Sequence, residues 1–377
     1  MMKYLIVPDS FKGTMDSSEI CAILEKGIQA HQPDAEIVCI PVADGGEGTV
    51  DAFLQAVGGE KAYLTVKGPY MEDMQGFYGL IDGGATAVIE MAACAGLPLV
   101  GENRRAEKTT TYGVGQLMAD AVAHGVRKII IGLGGSATND MGAGAAAAFG
   151  VRFFDSAGMP FIPVGETLSK IARIDTSGLP ERLSEIEIIA MCDIDNPLFG
   201  EHGAAAVFGP QKGADPEMVR FLDGQLHAAS EVCRAQLDVD VSRLPGAGAA
   251  GGMGGGMVAF LGAQLRMGIE AVLDAVSFDA LLGDADLVFT GEGKLDTQSL
   301  RGKVVIGVAR RAKKKGVPVV AIVGDIGDAI EAAYAEGVAG VFSINRVAVP
   351  FVEAKRRSQS DLALTIDNLM RFLKAVR

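Results

Sequence analysis

Residues 3–40 read KYLIVPDSFKGTMDSSEICAILEKGIQAHQPDAEIVCI, and this stretch sets the fold class. Tyr4–Val7 is an apolar run that ends at a proline, which is typical of a buried strand. Ser17 or Ser18 is suited to cap a helix, because its side-chain oxygen can accept from a free backbone N–H. Apolar residues then recur at helical spacing at Ile20, Ile23, Leu24 and Ile28. Glu36–Ile40 follows as a second strand, so the stretch predicts a β-α-β unit.

The C-terminal third of the chain alternates between strands and helices in the same way. The predicted elements are, in order, strand Leu287–Thr290, helix 299–315, strand Val317–Val323, helix 329–336, strand Ala339–Ser343 and a last amphipathic helix to Val376. Parallel strands need helical crossovers of this kind. Both ends of the chain therefore predict one doubly wound parallel sheet.

The middle of the chain follows a different pattern. Gln75–Ile81 and Thr86–Met91 flank the turn sequence Asp82-Gly83-Gly84, which favours an antiparallel hairpin. We therefore expect an α/β fold of two domains, with the second inserted into the first. The outer domain is placed at residues 1–75 and 280–377, and the inserted α/β domain at residues 76–279.

The 377 residues carry a net charge of −13, which limits the expected partners. A negative protein surface repels nucleic-acid phosphates and anionic lipid, so neither nucleic acid nor a membrane is an expected partner. The five cysteines are widely spaced and form no C-x-x-C pair, and the first apolar run is too short for a secretory signal. We therefore expect a cytoplasmic protein, whose oligomeric state is left open with a homodimer as one option.

A predicted strand over Lys128–Ile131 runs into the loop Gly132–Ala137, which contains three glycines. The backbone N–H groups of such a loop suit a phosphate. The loop also fits the dinucleotide pattern G-x-G-x-x-A, and Asp155 lies about 20 residues further on, where a ribose ligand is expected. A plain glycine turn that allows tight strand–helix packing is the third interpretation.

Acidic loops follow three of the predicted strands, and they contain Asp44 and Glu47, then Asp193, then Glu292 and Asp296. Open α/β sheets bind ligands at the carboxyl ends of their strands, where carboxylates can hold Mg²⁺ or accept a proton from an alcohol. Basic residues that could balance an anionic ligand are Lys12, Lys212, Lys294 and Lys303. Acidic loops, a glycine loop and basic residues together are typical of a phosphoryl-transfer enzyme.

Six motifs occur in order along the chain: PDSFKG at 8–13, ADGGEGT at 43–49, GLGGSATND at 132–140, CD at 192–193 with NPL at 196–198, FGPQKG at 208–213, and TGEG at 290–293 with Asp296, Gln298 and Gly302-Lys303. By these motifs the chain resembles the bacterial glycerate kinase family, the type 1 glycerate 2-kinases, over essentially its whole length. Thr14-Met15 departs from the Ser-Leu that often follows the first motif.

The resemblance implies a discontinuous flavodoxin-like domain built from both chain ends and an inserted α/β domain similar to restriction endonucleases. It also implies that the protein phosphorylates D-glycerate with ATP and Mg²⁺, and that the product is 2-phosphoglycerate. Two alternatives stay open. The product could be 3-phosphoglycerate, or the Gly132–Ala137 loop could serve an NAD-dependent oxidoreductase.

The hypothesis within this family is in-line phosphoryl transfer. Asp193, supported by Asp296, would orient and deprotonate the glycerate hydroxyl, and Lys12 would assist as a catalytic cation. Asp44 and Glu292 are the expected metal ligands. The residues expected to bind substrate or phosphate are Asp44, Glu47, Ser136, Thr138, Asn139, Lys212, Glu292, Lys294 and Lys303.

Overall fold

A computed structural model describes residues 1–43, 45–297, 299–328 and 330–376, and it has two compact units. The first unit comprises Met1–Ala43, Gln55–Gly58 and Met267–Arg377, and the second comprises Asp44–Leu54 and Gly59–Arg266. Relative to the sequence-based boundaries, Asp44–Leu54 and residues 59–75 lie with the second unit, and residues 267–279 lie with the first.

The strands are β1 Lys3–Pro8, β2 Glu36–Cys39, β3 Glu60–Lys67, β4 Asp73–Ile81, β5 Thr86–Glu90, β6 Lys128–Gly132, β7 Arg152–Phe154, β8 Pro160–Phe161, β9 Arg173–Asp175, β10 Glu187–Met191, β11 Gln264–Arg266, β12 Leu287–Gly291, β13 Lys294–Leu295, β14 Val319–Val323, β15 Asp325–Ile326 and β16 Val338–Ser343. The α-helices are α1 Ser17–His31, α2 Thr49–Val57, α3 Ala92–Ala95, α4 Tyr112–Ala123, α5 Ala143–Phe149, α6 Ala204–Phe208, α7 Pro216–Leu237, α8 Ala249–Leu261, α9 Gly268–Ala275, α10 Phe278–Leu281, α11 Val304–Lys315, α12 Glu331–Ala335, α13 Phe351–Lys355 and α14 Ser358–Ala375.

The first unit is built on a five-stranded sheet in the order β16-β14-β12-β1-β2, and every pair of neighbours is parallel. Tyr4 of β1 lies opposite Leu287 of β12, so the two ends of the chain complete one sheet as predicted. Counted along the chain, this is the 2-1-3-4-5 order of flavodoxin. The carboxyl ends of β1 and β12 meet at the point where the strand order reverses, which is where ligands of such sheets bind.

The N-cap of helix α1 lies one residue before the first of the two predicted caps. Asp16 is the N-cap, and its carboxylate accepts from Glu19 N at 2.8 Å. The Glu19 side chain in turn accepts from Asp16 N at 3.0 Å, which completes a capping box. The carboxylate of Asp16 satisfies a free N–H group of the first turn. The predicted caps Ser17 and Ser18 therefore lie within that turn and do not cap the helix.

The second unit is built on a mixed six-stranded sheet in the order β11-β10-β6-β5-β4-β3. The predicted hairpin is confirmed, since β4 and β5 pair antiparallel, whereas β5, β6, β10 and β11 pair parallel. The predicted α/β class with two units is therefore confirmed. A separate three-stranded sheet in the order β8-β7-β9 is antiparallel.

The dinucleotide interpretation of Gly132–Ala137 is wrong. The dinucleotide motif needs a helix that starts directly at the glycines and a parallel strand after it. Here α5 begins only at Ala143, and β7 pairs antiparallel in a different sheet from β6. Asp155 accepts from Ala157 N and Met159 N at 2.9 Å each, so its carboxylate shapes a turn.

Helix α8 follows a glycine-rich loop and is buried over most of its length. Gly251 in its first turn has φ +66°, and a Cβ there would overlap the carbonyl oxygen of Thr138. Gly251 O also accepts from Met141 N at 3.1 Å. Glycine at this position therefore lets α8 pack directly on the loop that follows β6. None of the helices in the described ranges has both the length and the apolar surface that crossing a bilayer requires.

The variant Gly251→Ala should lower the free energy of unfolding by about 2–4 kcal/mol, because the new Cβ adds left-handed backbone strain and overlap with Thr138. Gly224→Ala is the matched control, since Gly224 lies mid-way along α7, has no positive φ, and would carry a Cβ with no other atom within 4 Å. The control should raise that free energy by about 0.5–1 kcal/mol. Urea unfolding followed by circular dichroism measures both, and equal effects would contradict the packing argument.

Candidate active site

The loop after β6, residues 132–140, lies against the loop that contains Gly45 and Gly46 within the second unit. Gly134 N donates to Gly45 O at 2.9 Å. A Cβ on Gly134 would lie 2.6 Å from Gly46 Cα, and one on Gly132 would overlap the backbone of Gly45. Only glycine permits this approach, so the two glycine motifs found in the sequence hold each other in place.

The exposed turn of this loop presents hydrogen-bond donors. Gly135 is exposed and has φ +74°. Among the described residues, none accepts a hydrogen bond from the backbone N–H of Gly135 or of Ser136. Consecutive N–H groups at a left-handed turn form a concave site for an anion. The prediction that this loop suits a phosphate therefore has a geometric basis.

Lys212 lies under the same loop and is only 2% exposed. Its Nζ donates to Ser136 Oγ at 2.6 Å and to Thr138 O at 2.6 Å. Burial lowers the pKa of Lys212 to about 7, and the charge of Asp140 acts in the opposite direction. The structure thus brings together Lys212 and Ser136, which the sequence placed 76 residues apart.

Asp140, which follows the glycines together with Thr138 and Asn139 and was expected from the sequence to contact a ligand or ion, is fully buried. Its carboxylate accepts from Thr111 N at 2.7 Å, Thr111 Oγ1 at 2.8 Å and Gly142 N at 3.1 Å. Burial raises the pKa of Asp140, while these hydrogen bonds oppose the rise. Because both carboxylate oxygens accept hydrogen bonds, the geometry fits the ionised form. In the sequence, the feature that pointed to Asp140 was its position at the end of the motif GLGGSATND.

Thr138 and Asn139 are also enclosed within the loop, with no exposed surface. Within the described part of the chain, Thr138 Oγ1 and both amide atoms of Asn139 have no hydrogen-bond partner. Each unpaired buried polar group costs about 1–3 kcal/mol. These two side chains were expected to contact triphosphate or substrate, and the structure places them behind the loop surface.

The other acidic loops of the second unit lie closer to solvent. Glu47 and Asp195 are exposed, and Asp193 is half-buried directly after β10. Asp44, which the sequence assigns to substrate and metal, lies outside the described residues. Asp193 thus lies two residues beyond the carboxyl end of β10 and is partly open to solvent, at an edge of the sheet where ligands of α/β folds bind.

Glu292 is the central carboxylate of the first unit, and it lies one residue beyond β12. It is 5% exposed, and its Oε1 has no hydrogen-bond partner among the residues that the structure describes. Burial raises the pKa of Glu292 to about 7, and the carboxylates of Asp9 and Asp296 add to the rise. A hydrogen bond from the Ser299 side chain and the charge of Lys303 oppose the rise, so both positive and negative groups of this unit act on Glu292.

The metal assignment has partial geometric support. Within the described ranges, no group of three or more His, Cys, Asp or Glu side chains is arranged to hold a metal ion. Glu292 nevertheless offers an unpaired carboxylate oxygen, with two further carboxylates near enough to raise its pKa. Carboxylate oxygens are the ligands that Mg²⁺ prefers, so the residues at this position fit the ion.

A cavity of about 500 Å³ opens in the first unit beside these residues. Segments after β1, β12, β14 and β16 line it together with α13. Its charged lining residues are Lys12, Arg346, Lys355 and Asp325, so cations outnumber carboxylates in a chain whose net charge is −13. Lys294, which is exposed, does not line it. The cavity therefore suits an anionic small molecule.

A flavodoxin-ordered sheet, a donor-lined glycine loop and buried ionisable groups at strand ends define an α/β enzyme that handles oxyanions. The glycerate kinase family model matches residues 4–374. A glycerate kinase of Halalkalibacterium halodurans is 45% identical over 98% of this chain and 97% of its own length. The glycerate 2-kinase of Escherichia coli is 46% identical over 91% of this chain and 90% of its own.

A crystal structure described as a glycerate kinase 2 from Salmonella typhimurium superposes with a TM-score of 0.87 at 45% identity, and the alignment covers 99% of this chain and 98% of that one. The chain belongs to the glycerate kinase family, and it is therefore an enzyme, a kinase. The resemblance seen in the sequence is confirmed, and the oxidoreductase alternative is not retained.

The raised pKa of Glu292 predicts a pH-dependent stability. A carboxyl group whose folded pKa of about 7 exceeds its ordinary value of 4.5 contributes stability below about pH 4.5 that is lost as the pH rises through 7. In EDTA, Glu292→Gln should therefore gain stability relative to the wild type between pH 5 and pH 8, by on the order of 2 kcal/mol.

Chemical unfolding at the two pH values measures this difference. If Glu292 holds Mg²⁺, adding the ion at pH 8 should raise the melting temperature of the wild type and leave that of Glu292→Gln nearly unchanged, because the variant lacks the charged ligand. A pH-independent difference between the two proteins would contradict the assigned pKa.

Proposed function

We propose that the protein transfers the γ-phosphoryl group of ATP to D-glycerate and forms 2-phosphoglycerate. Relatives named glycerate kinase, among them one named glycerate 2-kinase, support the substrate and the position. The single structural observation that carries the proposal is the glycine loop, where the backbone N–H groups of Gly135 and Ser136 have no acceptor among the described residues and Lys212 donates to the Ser136 hydroxyl. Such donors stabilise the charge of a transferring phosphoryl group or of a substrate carboxylate.

Asp193 is the proposed general base. A half-buried carboxylate at the end of β10 can orient the glycerate hydroxyl and accept its proton as the new O–P bond forms. Asp296 is proposed to support this step and Lys12 to neutralise the developing charge. The proposed substrate or phosphate ligands are Glu47, Ser136, Glu292, Lys294 and Lys303, together with Asp44. Thr138, Asn139 and Lys212, which the sequence also assigned to substrate or phosphate, are buried and are proposed to support the loop from behind.

Mg²⁺ is the proposed metal, with Glu292 and Asp44 as the protein ligands. When bound, the ion would neutralise charge on the phosphoryl oxygens. Glu292 must release its proton to bind the ion, and its pKa of about 7 places that release near neutral pH. We also propose that the enzyme is cytoplasmic, acts on small molecules and has no nucleic-acid or membrane partner. A homodimer is one option for its oligomeric state.

The cavity of the first unit is the proposed place of the nucleotide. Its volume of about 500 Å³ far exceeds what a three-carbon acid fills and lies in the range of pockets that enclose larger ligands. Phe11 and Phe351 offer apolar surface, and Lys12, Arg346 and Lys355 offer positive charge. This combination suits a nucleoside phosphate, which has an aromatic base and an anionic tail.

Lys355→Ala should weaken ADP binding by about tenfold, because it removes a cation from the cavity wall. Lys315→Ala is the control, since that lysine is exposed at the end of α11 and does not line the cavity. Isothermal titration calorimetry with ADP measures both. Equal affinities of the two variants would place the nucleotide elsewhere.

The activity itself is tested with purified protein, ATP, Mg²⁺ and D-glycerate, with the product identified by phosphorus NMR. We expect 2-phosphoglycerate. A 3-phosphoglycerate signal would keep the kinase and overturn the position, and the absence of ATP consumption would overturn the substrate.

Asp193→Asn should lower kcat by about 10²–10⁴-fold, because the amide cannot accept the hydroxyl proton. Asp195→Asn, two residues further along the same loop and exposed, should lose far less activity. Steady-state kinetics with circular dichroism as a folding check compares the two. A loss below about tenfold in a folded Asp193→Asn protein would exclude the base role.

A further inference from the structure

The position of Lys212 separates it from any ligand on the outer side of the glycine loop. Its side chain is 2% exposed, and Nζ donates to Ser136 Oγ and to Thr138 O, both at 2.6 Å. A carbonyl oxygen can only accept, so the ammonium group is fixed between two acceptors of the loop. A direct clamp on substrate does not fit this burial.

Ser136, which is itself only 7% exposed, lies between Lys212 and the exposed turn at Gly135. A hydroxyl has one proton to donate and two lone pairs that accept. Since Lys212 Nζ occupies a lone pair of Ser136 Oγ, the hydroxyl proton remains available for another acceptor. Ser136 lies next to the exposed Gly135, and the N–H groups of both residues have no acceptor within the described part of the chain. Three donors thus share one turn.

Asp140 supplies the opposite charge on the inner side of the loop. The Thr111 hydroxyl accepts from Ala145 N at 2.9 Å, so its own proton is directed to the Asp140 carboxylate. Thr110 Oγ1 likewise accepts from Tyr112 N at 3.2 Å and lies 3.5 Å from Asp140 Oδ2. Two hydroxyls fixed as donors favour a carboxylate over a carboxylic acid at this position.

We propose that Lys212 is a positioning residue that acts through Ser136, and that Asp140 is the counter-charge that keeps this lysine an ammonium ion. In this arrangement Lys212 directs the Ser136 hydroxyl proton outward, to an oxygen of a phosphate or carboxylate bound at Gly135 and Ser136. The inference rests on the proposed function, because it assigns an oxyanion to the loop that the proposed reaction uses.

Among the described residues, Asp140 and Arg104 are charged groups close to Lys212 or to its turn. Asp140 comes from the glycine loop and raises the pKa of Lys212 against the effect of burial. Arg104 lies on the side of the neighbouring turn, where its guanidinium donates to Gln211 O at 3.0 Å. When Asp140 is removed, the desolvation of Lys212 remains, and Arg104 remains as a second cation close to the same turn. Both effects favour the neutral form of Lys212.

A double-mutant cycle tests whether Lys212 acts through Ser136. Lys212→Met and Ser136→Ala should each lower kcat/KM on the order of 10²-fold, and the double variant should lose no more than the worse single variant. Lys170→Met is the control, since it removes an exposed lysine of the same unit that has no role in the site. Losses that multiply in the double variant would overturn the proposal, because two independent contacts behave in that way.

A pH profile tests the counter-charge, since a purely structural defect does not shift it. In the wild type, kcat/KM should fall as the pH rises through about 7, where Lys212 loses its proton. In Asp140→Asn the fall of kcat/KM should move to lower pH, so that activity recovers towards the wild type on acidification. In Lys212→Met the fall of kcat/KM around pH 7 should be absent. An unchanged profile in folded Asp140→Asn, or an alkaline fall that persists in Lys212→Met, would overturn the proposal.

Binding of inorganic pyrophosphate, followed by calorimetry at pH 6, gives a readout that needs no turnover. Wild type and Lys170→Met should bind it equally, and Ser136→Ala and Lys212→Met should bind it at least tenfold more weakly. If the wild type binds pyrophosphate in this pattern but does not phosphorylate glycerate, the proposed function fails and the inference stands. If the wild type binds no pyrophosphate, or the variants bind it normally, the inference is overturned.

Discussion

The site depends on backbone packed against backbone on two sides of the loop after β6. On one side Gly134 N donates to Gly45 O, and on the other Met141 N donates to Gly251 O. A Cβ on Gly134 or Gly251 would overlap the opposing chain. The loop is therefore fixed by contacts that involve no catalytic side chain. The N–H groups of Gly135 and Ser136, which no described residue accepts from, are in place before any ligand arrives. Donors held in place in advance need no reorganisation when charge develops.

Both units contain buried ionisable groups, and the surroundings of these groups differ between the two units. In the second unit Lys212 and Asp140 lie at the same loop with opposite charges and satisfied hydrogen bonds. In the first unit Glu292 keeps an unpaired oxygen among other carboxylates. The opposite charges of Lys212 and Asp140 compensate each other without a ligand. The buried carboxylate of Glu292 is stabilised when a cation binds or when it takes up a proton.

Much of the architecture could be predicted from the sequence, because apolar periodicity reports which face of each element is buried. That reasoning found the parallel sheet of the two chain ends, the β4–β5 hairpin and the strand ends that bear Asp193 and Glu292. It misplaced the cap of α1 by one residue, because Asp16 and two serines are all good N-caps and only the fold selects among them.

The interior of the site could not be predicted in the same way. Nothing in the local sequence says that Thr138, Asn139 and Lys212 face inward, since glycine-rich loops lack the periodicity that assigns faces. The buried position of Asp140 was not predicted because its partners, Thr110 and Thr111, lie about thirty residues earlier and meet it only in the folded chain. Partners that are so far apart along the chain form no sequence motif of fixed spacing by which they could be recognised.

The pairing of β1 with β12 has a consequence for the order in which the chain folds. β1 and β2 are made within the first 39 residues, but their sheet lacks its central strand until residue 291 has emerged. At about 5–20 residues per second, that interval lasts about 10–50 s during synthesis. Almost all of the second unit is translated in the meantime and can form its own core first. The N-terminal segment, whose strand edge stays open throughout, is thus the part of this enzyme most in need of protection on the ribosome.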